Sequence, residues 1–594
     1  MRYFVAFFLM MLVPGSAQAQ AARILLDGAF DDWAALDPVH TDPSGDALSG
    51  MVDFERLWVA NDERYLFLRF ELNAETLIQE GNQVILYIDT DDDPTTGRPI
   101  HGLGADFWWV FGQRNGFFFV APATVLDIGH SPVGIVTAPT ISSTVFEIAF
   151  ERDAMPGDVQ PLFPGATIRL ALEDDASGDL LPDDPGGVAY TFDDATTLPV
   201  LVPATLRKEG AGDLRLLSYN VQRDALFDPA RGPAFARLLQ AAAPDVIGFQ
   251  EILGHSAEET AAVVAAAVPL PSGQTWHAAR VNPDLVLVSR YPIRSSFVIE
   301  GANQGRANAA FLLDLQAEWG ADLLLIDAHP PCCRADVARQ VEFDAMMAFI
   351  REAKATGGLL DLDPLTPIVL LGDMNLVGFA QQLNTLLAGQ IVNTGLFGPS
   401  FDPDWDDTPL ADLSPRHVAL PMTFTWYNES SSFHPGRLDF MVYTDSVLEP
   451  GNNFVLFTPA MPADSLAAYG LEPDDATFAS DHLPVVGDFR YDPSMITGVD
   501  DPDSGVPDGF ALAQNYPNPF NPSTRIAYTL PAGGRARLAV YDVMGREVAV
   551  LFEGTKTAGR HEAVWNAGGW PSGTYFYRLE ASGRILNRVM ILLR

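Results

Sequence analysis

A series of short segments between residues 218 and 484 places a carboxylate, an amide or an imidazole at the end of an apolar run. Asn220 follows Ser218-Tyr219, Glu251 follows Phe249-Gln250, and His329 follows Ile326-Asp327-Ala328. Asp373 and Asn375 close Leu371-Gly372-Asp373-Met374-Asn375, Asp439 sits in Arg437-Leu438-Asp439-Phe440, and Asp481-His482 precedes Leu483-Pro484. One such aspartate is ordinarily a turn former or a helix cap. Repeated along one stretch of chain, they imply convergence on one cleft. Carboxylate and amide oxygens are hard donors that suit Mg²⁺ and similar ions. An imidazole beside a carboxylate suits proton transfer.

Strands must carry these residues to a common place. Leu214 to Tyr219, Asp245 to Phe249, Leu285 to Ser289, Ala309 to Leu315, Leu323 to Ala328, Ile368 to Leu371, Leu438 to Tyr443 and Leu483 to Phe489 read as strands. Phe235, Leu238, Leu239 and Ala242 fall at helical spacing, and a helix is expected from about Asp336 to Ala355. Residues 210–492 therefore read as one mixed α/β domain.

In order and type, these segments resemble the endonuclease/exonuclease/phosphatase superfamily. The resemblance implies a deoxyribonuclease I-like four-layer α/β sandwich and hydrolysis of a phosphoester. It implies Glu251 as the main metal ligand, with Asn220 and Asp481 assisting directly or through water. The implied ion is Mg²⁺, with Mn²⁺ or Ca²⁺ as alternatives. His482 would be the general base and Asp439 would fix its tautomer. Asp373 and Asn375 would position nucleophile and phosphate, and His329 would stabilise charge on a non-bridging oxygen.

The flanks are built differently. Residues 20–205 read as all-β, with strand-like runs at Leu57 to Ala60, Tyr65 to Phe70, Val84 to Ile88, Phe107 to Val110 and Phe146 to Ala149 separated by Gly, Pro, Asn and Asp. A β-sandwich is expected. Leu26-Asp27-Gly28, Asp31-Asp32-Trp33 and the run Ile88 to Gly97 resemble modules related to family 9 carbohydrate-binding modules and DOMON domains. That implies glycan or matrix binding, or a spacer. Residues 493–510 are rich in Asp, Pro, Gly and Ser and read as a linker. Residues 511–594, with Asn515-Tyr516-Pro517-Asn518-Pro519-Phe520-Asn521-Pro522, Gly545-Arg546-Glu547 and Ser572-Gly573-Thr574-Tyr575, resemble the C-terminal sorting domain of type IX secretion substrates. The resemblance implies an immunoglobulin-like β-sandwich and the type IX machinery as a partner. Residues 1–19 read as a signal peptide: Arg2, the apolar run Phe4 to Val13, and Ala17-Gln18-Ala19. That run is too short to span a bilayer.

At 594 residues the chain needs several cores. Its formal charge is −41, and lysine occurs at Lys208, Lys354 and Lys556 alone. Such a surface repels polyanions at long range, so nucleic acid must be held locally, by a metal and a few arginines. Asp89, Asp91 and Asp93 form a D-x-D-x-D run, but Pro94 and Ile100 stand where an EF-hand needs Gly and Glu. A solvated acidic turn is expected there, with a calcium loop held by carboxylate oxygens as the alternative. Trp108, Trp109 and Phe117 to Phe119 are expected in the core rather than on a sugar platform. Adjacent Cys332 and Cys333 are expected as packed thiols, since neighbouring Cα atoms lie closer, at about 3.8 Å, than an ordinary disulfide allows; the alternative is a vicinal disulfide shaping the rim of the cleft. The resulting expectation is a secreted or cell-surface monomer, most simply a nuclease acting on extracellular nucleic acid. The alternatives are a sphingomyelinase-like or small-molecule phosphatase, and a non-catalytic surface binding or adhesion protein.

Overall fold

The computed structural model describes residues 19–47, 52–121, 124–302, 308–355, 357–360 and 362–496. In the tail it describes 511–512, 515, 520, 522–530, 533–542, 546–571, 573–581 and 584–592. The expected signal peptide and most of the expected linker lie outside the described residues, as do Tyr516 to Pro519 and Gly545. The chain divides into two compact units, Met1–Met495 and Ile496–Arg594.

The first unit opens with two antiparallel sheets. Strands His40–Thr41, Phe54–Asn61, Tyr65–Thr76, Ser143–Glu151 and Val136–Ala138 form one. The other has seven strands and is centred on Thr167–Asp174, Val84–Asp89 and Phe107–Val110. Strand side chains alternate between faces, and here both faces of the five-stranded sheet are buried. Phe54, Val59, Leu66, Leu68 and Phe70 pack between the two sheets. Trp58, Ala60, Tyr65 and Phe67 point the other way, into a core shared with Leu217, Tyr219 and Phe454 of the central module. Hence Leu57-Trp58-Val59-Ala60 reads as a continuous apolar run instead of an alternating one, as expected for a sheet covered on both sides.

The aromatic residues divide between faces. Trp109 and Phe118 lie in the inter-sheet core, while Trp108 stacks on Phe117 at 5.3 Å on the opposite face. Asp89 and Asp91 lie near Asp106. Asp93 turns away to accept from Thr95 N–H and Oγ1. The carboxylates of this run are taken up by turn N–H and hydroxyl groups, as in an acidic turn.

The central module has two six-stranded sheets. Each is organised around a parallel pair: Leu214–Asn220 with Val246–Gln250 in one, Ala321–Ala328 with Ile368–Asp373 in the other. The sheets press together where Gly248 faces Leu371, and a Cβ on Gly248 would lie 2.4 Å from a Leu371 methyl. Helices Gly232–Ala242 and Ala257–Ala267 cover the outer face of the first sheet, and Asp336–Lys354 and Ala380–Ala388 that of the second. The second helix begins with a capping box, Ser256 and Glu259 each serving the other's backbone N–H. The result is helix, sheet, sheet, helix, with four strand ends opening at one edge. Residues 454–479, which carry no readable sequence pattern, include short helices Ala463–Tyr469 and Asp475–Ala479.

The second unit has a three-stranded and a four-stranded antiparallel sheet. Ile526, Leu538, Val540, Trp565 and Tyr577 form its core.

Candidate active site

Every residue singled out in the central module arrives at the edge where the paired strands end. Asp373, last in its strand, is the hub. Its Oδ2 accepts from Asn220 Nδ2 at 3.0 Å and lies 3.4 Å from His329 Nε2 and 3.5 Å from His482 Nε2. Behind His482, Asp439 Oδ2 meets Nδ1 at 2.9 Å. Thr425 Oγ1 holds Asp439 by accepting its backbone N–H at 2.8 Å. Asn375 donates from Nδ2 to Pro330 O at 3.0 Å and from its backbone to Asp373 Oδ1 at 3.1 Å, so it orders the loop beside the cluster.

Glu251 is presented by a backbone that ordinary residues avoid. Its φ is +64°, and Gln222, Arg223 and Asp224 are also left-handed, at +48°, +56° and +64°. Each such residue costs of order 1–3 kcal/mol and persists only where its surroundings hold it. Here Asn220 Oδ1 accepts Gln222 N–H, Asp224 N–H donates to Glu251 O, and the Asp224 carboxylate accepts from Leu253 and Gly254. This turn aims the Arg223 N–H at Glu251 Oε2, 2.8 Å away. The amide nitrogen of Asn220, not its oxygen, faces Glu251 and Asp373.

One residue absent from the sequence reading completes the cluster. Asp284 accepts Glu251 N–H on Oδ1 at 3.0 Å and meets His329 Nδ1 with Oδ2 at 2.8 Å. It lies in Asn282-Pro283-Asp284, where an aspartate reads as a turn former. Each imidazole thus has a carboxylate behind Nδ1 and Asp373 before Nε2.

The electrostatics follow. Burial pulls His482 down, but Asp439, Asp373 and Asp481 outweigh it and hold the imidazole at about 10. His329 is likewise pulled down by burial and held at about 9 by Asp284, Asp373 and Glu251. Burial raises Asp373, and the two imidazoles offset part of the rise. Asp373, Asp439 and His482 lie close enough to surround an ion. The short Asp439–His482 contact, however, marks an orienting pair rather than two ligands. A different donor set suits a hard divalent cation better: Glu251 and Asp481, which face one depression. These are all oxygens, as Mg²⁺ requires.

A family model for the endonuclease/exonuclease/phosphatase family matches residues 217–482, and a second, for a secretion system C-terminal sorting domain, matches 514–592. The central module is an endonuclease/exonuclease/phosphatase domain. The tail is a sorting domain that marks the chain for secretion. Among solved structures, the chain is similar to ANGEL2, a 2',3'-cyclic phosphatase, at 14% identity over 49% of this chain and 99% of that one, with a TM-score of 0.33. It is also similar to sphingomyelinase C from Streptomyces griseocarneus, at 15% identity over 46% and 99%, TM-score 0.29. A third is the AP endonuclease LMAP from Leishmania major, at 11% identity over 49% and 93%, TM-score 0.29. No curated protein sequence matches the chain.

Two depressions meet at Glu251 and His482 of the endonuclease/exonuclease/phosphatase domain. One, of about 600 Å³, is polar and includes Arg223, Arg231, His255 and Asp481. The other, of about 530 Å³, is lined by Trp426, Phe433, Leu438, Pro330 and Pro331 beside His329 and Asp373, and no lysine or arginine lines it among the described residues. Cys332 and Cys333 also line it and are joined as a vicinal disulfide, against the expectation of separate thiols. Backbone geometry accommodates the pair through a left-handed Cys333, whose carbonyl accepts from the buried Arg339.

Proposed function

We propose that the chain is a secreted, divalent-metal-dependent phosphoester hydrolase. The observation that carries this reading is the paired arrangement around Asp373. Two imidazoles, each backed by its own carboxylate, converge within 3.5 Å of one oxygen beside a carboxylate-lined depression.

Glu251 and Asp481 would hold the cation, with Asn220 clamping Glu251 and Asp373 and reaching the ion through water. Such an ion supplies charge that polarises the phosphoryl oxygen and offsets the carboxylate field. His482 then takes the proton of the attacking water at Nε2, while Asp439 keeps Nδ1 protonated and the ring oriented. Asp373 accepts from that water and aligns it. His329, cationic through Asp284, donates to a non-bridging phosphoryl oxygen and stabilises its developing charge. Asn375 fixes the loop that carries Pro330 against the substrate.

For the substrate, the absence of lysine and arginine among the described residues that line the apolar depression favours a small phosphoester over a duplex, whose binding rests on many phosphate contacts. The nuclease reading draws its support from Arg223 and Arg231 in the other depression. A panel decides: bis-p-nitrophenyl phosphate, sphingomyelin, inositol phosphate, single-stranded and duplex DNA, and RNA, each with Mg²⁺, Mn²⁺ or Ca²⁺. Metal-dependent turnover of at least one is expected, and none with any ion would overturn the reading.

A further inference from the structure

The first two sheets of the chain do more than precede the endonuclease/exonuclease/phosphatase domain. Leu77, Gln79, Glu80 and Thr140 line the same depression as His329 and His482. The turn bearing the first three follows strand Tyr65–Thr76, and it is locked in place. Asn82 Nδ2 donates to Leu77 O and Ile78 O at 2.7 Å each. Arg114 Nη1 donates to Gln79 O at 2.7 Å. Glu80 is charge-balanced by Arg114 at 3.4 Å and Arg334 at 3.2 Å, so this wall presents no free anion to a phosphoester.

The same sandwich grips the loop that forms the opposite wall. Gln79 Oε1 accepts His434 N–H at 2.9 Å, and Thr137 Oγ1 lies 3.2 Å from His434 Nδ1. Trp109 meets the His434 ring edge-on at 5.1 Å. His130 Nε2 contacts Asn428 O at 3.0 Å. The Arg114 guanidinium lies over Phe433 at 4.1 Å, and Thr140 Oγ1 donates to Leu376 O at 2.7 Å. Burial also holds His434 well below the usual imidazole range, so it is a neutral packing group here. Residues 426–438, which lead into Asp439, therefore take their shape from the sandwich.

We propose that the N-terminal sandwich is the specificity wall of the catalytic cleft, and that the group it selects is a compact apolar or aromatic substituent on the phosphoester. The proposal rests on the hydrolase reading for the position of the phosphate, beside His329 and Asp373. The substituent lies between Leu77 on one side and Phe433 and Trp426 on the other. Leu77 is half-buried and Phe433 is 39% exposed, so both have surface left to cover. Apolar ligand groups gain most where hydrophobic and aromatic side chains line a concave site beside a few polar groups. Among the described residues no lysine or arginine lines this depression to reward a second phosphate.

The test uses the full mature chain with Mg²⁺ and measures binding by calorimetry, so it does not depend on turnover. Diphenyl phosphate should bind at least about tenfold more tightly than dimethyl phosphate, a difference of about 1.4 kcal/mol. Leu77→Asp should abolish that preference, and Leu77→Ala should reduce it while leaving dimethyl phosphate affinity unchanged. Thermal melting of both variants checks that they fold, and Leu77→Ala keeps the test open if Leu77→Asp does not. No preference for diphenyl phosphate in the parent chain, or a preference that survives in folded variants, overturns the proposal. Hydrolysis of bis-p-nitrophenyl phosphate is scored separately. Preferential binding without turnover would sink the catalytic reading and leave the wall standing, and turnover without the preference would do the reverse.

Discussion

The two depressions share Glu251 and His482 and differ in the rest of their lining. One is bounded by Arg223, on a left-handed turn of the endonuclease/exonuclease/phosphatase domain, and by Arg231, at the start of helix Gly232–Ala242. The other is bounded by proline, aromatic and leucine side chains, some supplied from more than 300 residues away in sequence, as the 355-residue span between Gln79 and His434 shows. The polar flank is built within one module, from the segments after two neighbouring strands and from Asp481-His482. The apolar flank exists only because two domains fold onto one another. On the proposed reading, chemistry and selectivity have separate structural origins, and perturbations should separate them.

The largest effect should come from the residues both flanks share. Glu251→Gln and His482→Ala should each lower kcat/KM by about 10²–10⁴-fold, the range of a lost general base, on every substrate the enzyme accepts. EDTA should do the same to the parent enzyme, with Mg²⁺ or Mn²⁺ restoring the rate. Initial rates on an aryl diester and on an oligonucleotide measure this. A variant that lost only one of the two activities would show that the flanks do not share a centre.

A smaller loss is expected from Asp284→Asn. Asp284 acts through two other residues. It positions Glu251 through a backbone N–H and His329 through Nδ1. Loss of its charge should cost about 10–100-fold, the usual price of an outer partner. It should also move a second readout. Asp284 is among the anions that raise His329 to about 9, so its removal lowers that imidazole, and the cationic form is lost at lower pH. The alkaline limb of the rate profile should shift down accordingly, while Asp284→Glu restores part of the shift. An unmoved limb would reduce Asp284 to a packing residue.

These roles differ in how far they could be read from the chain. Asn220, Glu251, His329 and Asp373 were legible because each ends or follows an apolar strand, and Asp439 and His482 because each opens or precedes one; strand ends at one edge must meet. Asp284 was not, because a loop aspartate before a strand has the same local signature whether it caps a turn or orients a histidine. The sandwich was legible as β, but its place at the cleft was not read. A trace of it is present: Leu57-Trp58-Val59-Ala60 and Tyr65 to Phe70 lack the polar alternation of a sheet with one wet face, and both faces prove to be covered. What covers the second face is a long-range fact that no local pattern encodes. The left-handed turn at Gln222 to Asp224 was equally hidden, since none of its residues is glycine and hydrogen bonds from Asn220 and to Glu251 impose it.

The smallest effect should come from the polar flank alone. Arg223 is exposed and stands beside Glu251. Alanine meets the same Cβ constraint at φ +56° as arginine does, so Arg223→Ala should leave the turn and Glu251 in place and remove only the guanidinium. If an oligonucleotide runs across this flank, the substitution removes one phosphate contact. Affinity should fall a few-fold at low salt, and the slope of log K against log salt for a single strand should shrink by about 0.7, the release expected for one phosphate. Diphenyl phosphate, held on the other flank, should bind unchanged. Salt titration of oligonucleotide binding by fluorescence anisotropy, with metal fixed, measures the slope. The acidic surface makes this sensitive, because with a formal charge of −41 there are few compensating cations to mask the loss of one. An unchanged slope would mean that no polyanion crosses the arginine flank. The substrate would then lie wholly on the apolar side, and the nuclease reading would lose its structural support.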